Sequence, residues 1–161
     1  MNEEAPPNVV AEPMAIYNTA ATGASAILKY LGNPTVIIKG IHDFIAIIRK
    51  GITRQSLDHL MQLTGITTEE MASIMHTSGR TLRRYTATTV LNPEQTERAI
   101  ELARLYSRGE EVFGNLEFFK SWMEDTVLAL GNKKPKEFLD TSLGIDILLD
   151  ELGRIEHGIF A

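Results

Sequence analysis

The chain has 161 residues, 43% of them hydrophobic and 23% charged, enough for one ordinary domain or two small ones. It contains no cysteine, which excludes thiolate catalysis, disulfide staples and cysteine-ligated zinc, and fits a cytoplasmic protein. The formal net charge of −5 argues against a general nucleic-acid binder, yet the charge is uneven: −2 over residues 1–48, +3 over residues 49–91 and −6 over residues 92–161.

Residues 1–13 hold Pro6, Pro7, Pro13 and three Glu, and read as a disordered lead-in. The start Met1-Asn2-Glu3-Glu4 lacks the basic region of a signal peptide. No apolar run approaches the roughly 20 residues that span a membrane, so no membrane partner is expected. Residues 14–32 are Ala-rich and predict a helix, weakened at Gly23 and stopped at Gly32-Asn33-Pro34. Ile37, Ile41, Phe44, Ile45 and Ile48 then mark one helical face over residues 35–50, with a strand as the minority reading. Gly51 ends that segment. Thr53 predicts a cap for the next helix, with Leu57, Leu60 and Met61 inward and Gly65 as its stop.

Thr67-Thr68-Glu69-Glu70 carries a capping-box pattern, Thr67 with Glu70, ahead of the inward residues Met71, Ile74 and Met75. His76-Thr77-Ser78-Gly79 is a break. Ser78 then caps a short helix from Arg80 to about Thr86, with Leu82 inward. Two short helices around a tight glycine-containing turn predict a helix-turn-helix. Asn92-Pro93-Glu94-Gln95 opens a further helix, its inward residues Ala99, Ile100, Ala103 and Tyr106 and its expected end Gly109. Residues 110–129 carry Val112, Phe113, Leu116, Phe119, Trp122 and Met123 on an aromatic helical face. A short turn over Pro135 to Asp140 precedes a last helix, about Ser142 to His157, ended by Gly158. No pair of strands is visible, so the expected class is all-α.

The second helix of a helix-turn-helix can lie in the major groove, which would bring Arg80, Thr81, Arg83 and Arg84 to DNA. Arg83 and Arg84 point about 100° apart on a helix, which suits one base contact and one phosphate contact. Ser78 and the amides beside it could hold a phosphate. The four histidines lack metal-ligand spacing, and Glu69-Glu70, Glu110-Glu111 and Asp150-Glu151 are neighbours whose side chains diverge, as on solvated faces. No nucleophile is assembled with a base and no phosphate loop is present, so neither an enzyme nor a cofactor or metal is expected. The cluster Phe113, Phe118, Phe119, Trp122 reads as core. The end Ile159-Phe160-Ala161 reads either as a frayed terminus or as a peptide that enters a partner's cleft.

Together the motifs resemble one known family over residues 51–161. Gly79-Arg80-Thr81-Leu82-Arg83-Arg84 is similar to its recognition helix, and Leu91-Asn92-Pro93-Glu94-Gln95-Thr96 to the segment that opens its next helix. Val112-Phe113-Gly114 with Trp122 follows, then Pro135, Leu139-Asp140-Thr141, Gly144 and Leu152-Gly153-Arg154-Ile155-Glu156-His157-Gly158. The pattern resembles the Xre/MbcA/ParS antitoxins, partners of toxins with a RES domain. Asn92 stands where Ser is usual, and both cap helices. The resemblance implies a helical bundle with an N-terminal DNA-binding helix-turn-helix part, residues 14–91, and a C-terminal toxin-binding part, residues 92–161. It implies operator binding with autorepression, and blockade of an NAD-degrading or ADP-ribosyl-transferring toxin. A homodimer is expected because a lone small helix-turn-helix reads only half a site. The toxin contacts then map to Asp150, Glu151, Arg154, Glu156, His157, Gly158, Ile159, Phe160 and Ala161. The acidic C-terminal part suits a basic nucleotide pocket. The alternative is a stand-alone helix-turn-helix transcriptional regulator.

Overall fold

Most helix starts in this chain are fixed by single side chains. The computed structural model describes residues 20–33 and 36–158. In chain order these form α1 (Ala20–Tyr30), α2 (Ile41–Lys50), α3 (Arg54–Thr64), α4 (Thr68–Ile74), α5 (Gly79–Arg84), α6 (Pro93–Phe113), α7 (Leu116–Glu124) and α8 (Ser142–Glu156). Two 3-10 turns, Leu128–Leu130 and Pro135–Phe138, lie between α7 and α8. Thr53, Thr67, Ser78, Asn92, Asn115 and Thr141 each turn a side-chain oxygen onto a free N–H of the first turn of α3 to α8 in that order. Gly65 ends α3 and Gly114 ends α6 in the left-handed conformation that glycine adopts without strain. No strand occurs among the described residues, and the class is all-α.

α6 is the axle. At 21 residues it is about 30 Å long. α1, α2, α3, α7 and α8 all pack on it. Its side chains Thr96, Ala99, Leu102, Ala103 and Leu105 have no exposed surface. From the N-terminal side it meets Tyr30 and Leu31, and Leu57, Leu60, Met71 and Leu82 complete one continuous core. From the C-terminal side it meets Phe119, Ile145, Leu148 and Leu152. The Tyr30 hydroxyl donates to Glu110 Oε2 at 2.6 Å and ties α1 to α6.

Several expectations are corrected. The helix at Asn92 does not stop at Gly109 but runs four residues further, to Phe113. Gly109 is buried inside it because the Phe119 ring lies where a Cβ would stand. The aromatic segment is therefore not one helix: α6 ends at Gly114 and α7 begins after Asn115. The Phe119 ring meets Tyr106 edge-on at 5.1 Å and stacks on Trp122 at 5.8 Å, while Phe118 is 66% exposed and stays out of the core. Helix formation over 35–50 begins only at Ile41. Its inward residues are Phe44 and Ile47 rather than the whole face marked in the sequence, and Ile37 is 78% exposed. The short helix at Arg80 ends at Arg84, before Thr86. The disordered lead-in, and residues 14–19 of the Ala-rich segment, lie outside the described residues.

Candidate DNA-binding and partner-binding faces

A six-residue helix is not stable alone, because too few hydrogen bonds repay nucleation. α5 is held from three sides. Ser78 Oγ accepts from Thr81 N–H at 3.0 Å. Leu82 is fully buried, worth about 2 kcal/mol. The Arg54 guanidinium donates to the Leu82 carbonyl near the helix end. α4 is fixed by the reciprocal Thr67 and Glu70 bonds, the Thr67 N–H donating to Glu70 Oε2 at 2.9 Å. Between them His76 turns the chain at φ +52° and meets the Asp140 carbonyl through Nε2 at 2.8 Å.

Of the residues expected at DNA, Arg80, Arg83 and Arg84 are exposed, Thr81 is half-buried, and Ser78 is taken up as the helix cap. Arg83 ion-pairs with Glu69 of α4, so a phosphate or base edge would have to displace that carboxylate. Gly79 is buried because the same carboxylate fills the space of a Cβ, which lets α4 and α5 approach closely.

The expected toxin contacts lie on and beyond α8. Asp150 is exposed. Glu151 is turned inward, only 8% exposed, and its carboxylate accepts from Arg154 at 2.9 Å. Glu156 accepts from Arg108 of α6, which holds its carboxyl below the usual carboxylate range. His157 and Gly158 are exposed at the end of the helix, and Ile159, Phe160 and Ala161 lie outside the described residues. Leu143, 71% exposed, and Ile147 sit at i, i+4 and share the outer face of α8 with Asp150 at i+7 and Arg154 at i+11. Exposed leucine and isoleucine beside an acid mark a surface suited to a partner.

Two features that sequence reasoning did not single out join the faces. Arg98 is 5% exposed. It donates to the carbonyls of Ile74 at 3.3 Å and Leu139 at 2.6 Å, to Ser142 Oγ at 3.1 Å and to Glu101 at 2.6 Å. One guanidinium thus fastens the end of α4, the chain before α8 and α6. Lys136 spans a groove of about 410 Å³, donating to Glu70 Oε1 at 3.3 Å and Glu124 Oε1 at 2.8 Å. No cluster of acids and histidines with metal-site geometry occurs among the described residues. No described helix is long and apolar enough to cross a membrane.

Comparison with known proteins gives two adjoining matches. Residues 43–104 match the antitoxin Xre-like helix-turn-helix domain. Residues 108–158 match the antitoxin Xre/MbcA/ParS C-terminal toxin-binding domain. The chain belongs to the Xre/MbcA/ParS antitoxin family. It is an antitoxin with a helix-turn-helix domain followed by a toxin-binding domain. It is similar to Antitoxin Xre of Yersinia enterocolitica, 27% identical over 91% of this chain and 99% of the relative. It is also similar to the Prs ADP-ribosylating antitoxin of a Sphingobium species, 26% identical over 81% of this chain and 91% of the relative. In this antitoxin the two matched regions meet within α6, so both domains share one helix.

Proposed function

We propose that this antitoxin neutralises a RES-domain toxin that consumes NAD, by covering the toxin's active site with the end of α8 and the tail Ile159-Phe160-Ala161. Asp150, Arg154, Glu156, His157 and Gly158 flank that contact, and Glu151 acts through Arg154, which it holds. In the same reading a homodimer in the cytoplasm places α5 of each copy in the major groove of operator DNA and represses its own operon. Arg80, Thr81, Arg83 and Arg84 meet the DNA, and Ser78 fixes the start of the helix that carries them. The helix-turn-helix domain serves DNA and the C-terminal domain serves the toxin, with α6 shared between them; neither role is enzymatic.

The observation that carries this is the outer face of α8, where Leu143 and Ile147 stand exposed, with Asp150 beyond them toward the end of the helix, in the region that matches the toxin-binding domain. An exposed acid beside an apolar stripe suits a cleft built to hold pyrophosphate. The test is titration of the full-length antitoxin into purified RES-domain toxin while NAD is followed. NAD consumption should stop at saturation, one copy per toxin site. Unchanged consumption with a measurable complex would place the contact away from the active site, and no complex would leave a transcriptional regulator.

A further inference from the structure

The groove spanned by Lys136 is bordered by both domains. Glu70 stands on α4, Tyr106 on α6 and Glu124 on α7, and Lys136 lies in the turn before α8. At about 410 Å³ the groove falls in the size range of small-molecule sites. Ile66, Ile74, Met123 and Leu139, all buried, give it an apolar floor. Tyr106 is only 3% exposed, its ring is held edge-on by Phe119, and it lines the same groove. No described group hydrogen-bonds its hydroxyl, the one polar atom of an otherwise apolar, buried side chain. Polar atoms so placed are as a rule paired, so a fixed hydroxyl left open to a groove marks a place for a ligand atom.

The charges around it select a cation. Four carboxylates line the groove, those of Glu70, Glu124, Glu137 and Asp140, against the two ammonium groups of Lys120 and Lys136. Lys120 is drawn to Glu117, outside the lining, at 3.1 Å. Glu137 and Asp140 have no ion pair among the described residues. Lys136 shows what fits. Its ammonium bridges Glu70 at 3.3 Å and Glu124 at 2.8 Å while its side chain stays 35% exposed, a tethered cation that solvent reaches and another ammonium can replace. Burial, with the charges of Glu70 and Glu124, pushes the Tyr106 phenol well above its ordinary value. The hydroxyl therefore stays neutral and keeps an oxygen lone pair for a cationic donor.

We propose that this groove binds a linear aliphatic polyamine. Its nitrogens donate to Glu70, Glu124 and the Tyr106 hydroxyl, one of them in place of the Lys136 ammonium, and its methylene links lie on the apolar floor. Lys136 is then a tethered competitor that gives way to solvent when the amine enters. α4 belongs to the helix-turn-helix domain and α7 to the toxin-binding domain, so the bound amine joins the two and stabilises their contact. The binding needs neither DNA nor toxin, so it stands or falls apart from the proposed function.

Calorimetric titration of spermidine into the full-length chain at physiological ionic strength tests this. One spermidine should bind per chain and raise the thermal melting temperature. Lys136→Ala removes the competitor and should tighten binding by about tenfold, whereas Lys133→Ala, the same change of charge at an exposed residue outside the lining, should change it little. Tyr106→Phe removes only the unpartnered oxygen. It should weaken binding by about fivefold or more while the free protein melts at or above the wild-type temperature, because no internal hydrogen bond is lost. No saturable binding by the wild-type chain overturns the proposal. Equal effects of Lys136→Ala and Lys133→Ala overturn it too, since they would reduce the binding to the attraction of a polycation for an acidic chain. Undiminished binding by Tyr106→Phe, or a loss of stability in that variant, does the same by giving the hydroxyl no ligand to meet.

Discussion

α5 and α8 differ in how their charge is held. α5 has six residues and borrows its stability from Ser78, Leu82 and Arg54, and all three of its arginines face outward. α8 has fifteen residues and its own buried stripe of Ile145, Leu148 and Leu152, and its acids are divided. Glu151 and Glu156 are neutralised within the molecule by Arg154 and Arg108, whereas Asp150 is left to solvent. A net charge of −5 therefore says little about either face. What matters is which charges the fold leaves unspent, and it leaves Arg80 and Arg84 on α5, Arg83 being paired with Glu69, and an acid beside leucine and isoleucine on α8.

The largest expected effect removes the comparison altogether. Arg98→Leu strips the guanidinium that joins both halves and leaves the carbonyls of Ile74 and Leu139 without it. The cost should be about 3 kcal/mol or more, read in a thermal melt, and both faces should lose binding together. A melt within 1 °C of wild type, as an order-of-magnitude bound, would make the two halves independent.

The next effect separates the faces. Arg83→Ala with Arg84→Ala should weaken operator binding by about 100-fold and flatten its salt dependence, with toxin affinity untouched. An intact salt slope would remove α5 from the DNA. Asp150→Lys should do the reverse, weakening the toxin complex by about tenfold at low salt and less at high salt, with DNA binding kept. Equal weakening at every salt concentration would show that shape, not charge, is read there.

The smallest effect concerns the start of α4. The Thr67 backbone N–H, aided by the Thr67 hydroxyl and by Lys136, holds Glu70 below the usual carboxylate range against partial desolvation. A lowered folded-state pKa contributes stability above the unfolded value and loses it as pH falls through the folded one. Glu70→Gln should therefore be less stable than wild type at pH 7, where the ionised carboxylate contributes in full, with the difference shrinking as pH falls below about 4. An unchanged acid limb would show that the capping box adds no pH dependence.

How far the sequence reveals this molecule follows from the range of each interaction. Caps at Thr53, Thr67, Ser78 and Asn92 and the stop at Gly65 act within four residues, and all are readable. Gly109 carries the same letter as a stop, but its neighbour Phe119 is ten residues away, so its role needs the fold. Arg98 reads as a surface cation until Ile74 and Leu139 close around it from both sides. The isoleucines of α2 read as one apolar face, and only the packing of Phe44 and Ile47 shows which part of it stays outside. At the sites, the exposed arginines of α5 are visible in the motif, but the inward turn of Glu151 is not.

The central claim is that DNA binding and toxin blockade lie on separable faces, the second at the chain end. The direct measurement is co-expression, with the RES-domain toxin proposed as its partner, of an antitoxin ending at Gly158, which leaves α8 whole, while cellular NAD and operator repression are followed together. The account predicts that repression persists and NAD collapses, whereas the full-length chain preserves both. NAD preserved by the shortened chain would contradict it and move inhibition away from Ile159-Phe160-Ala161.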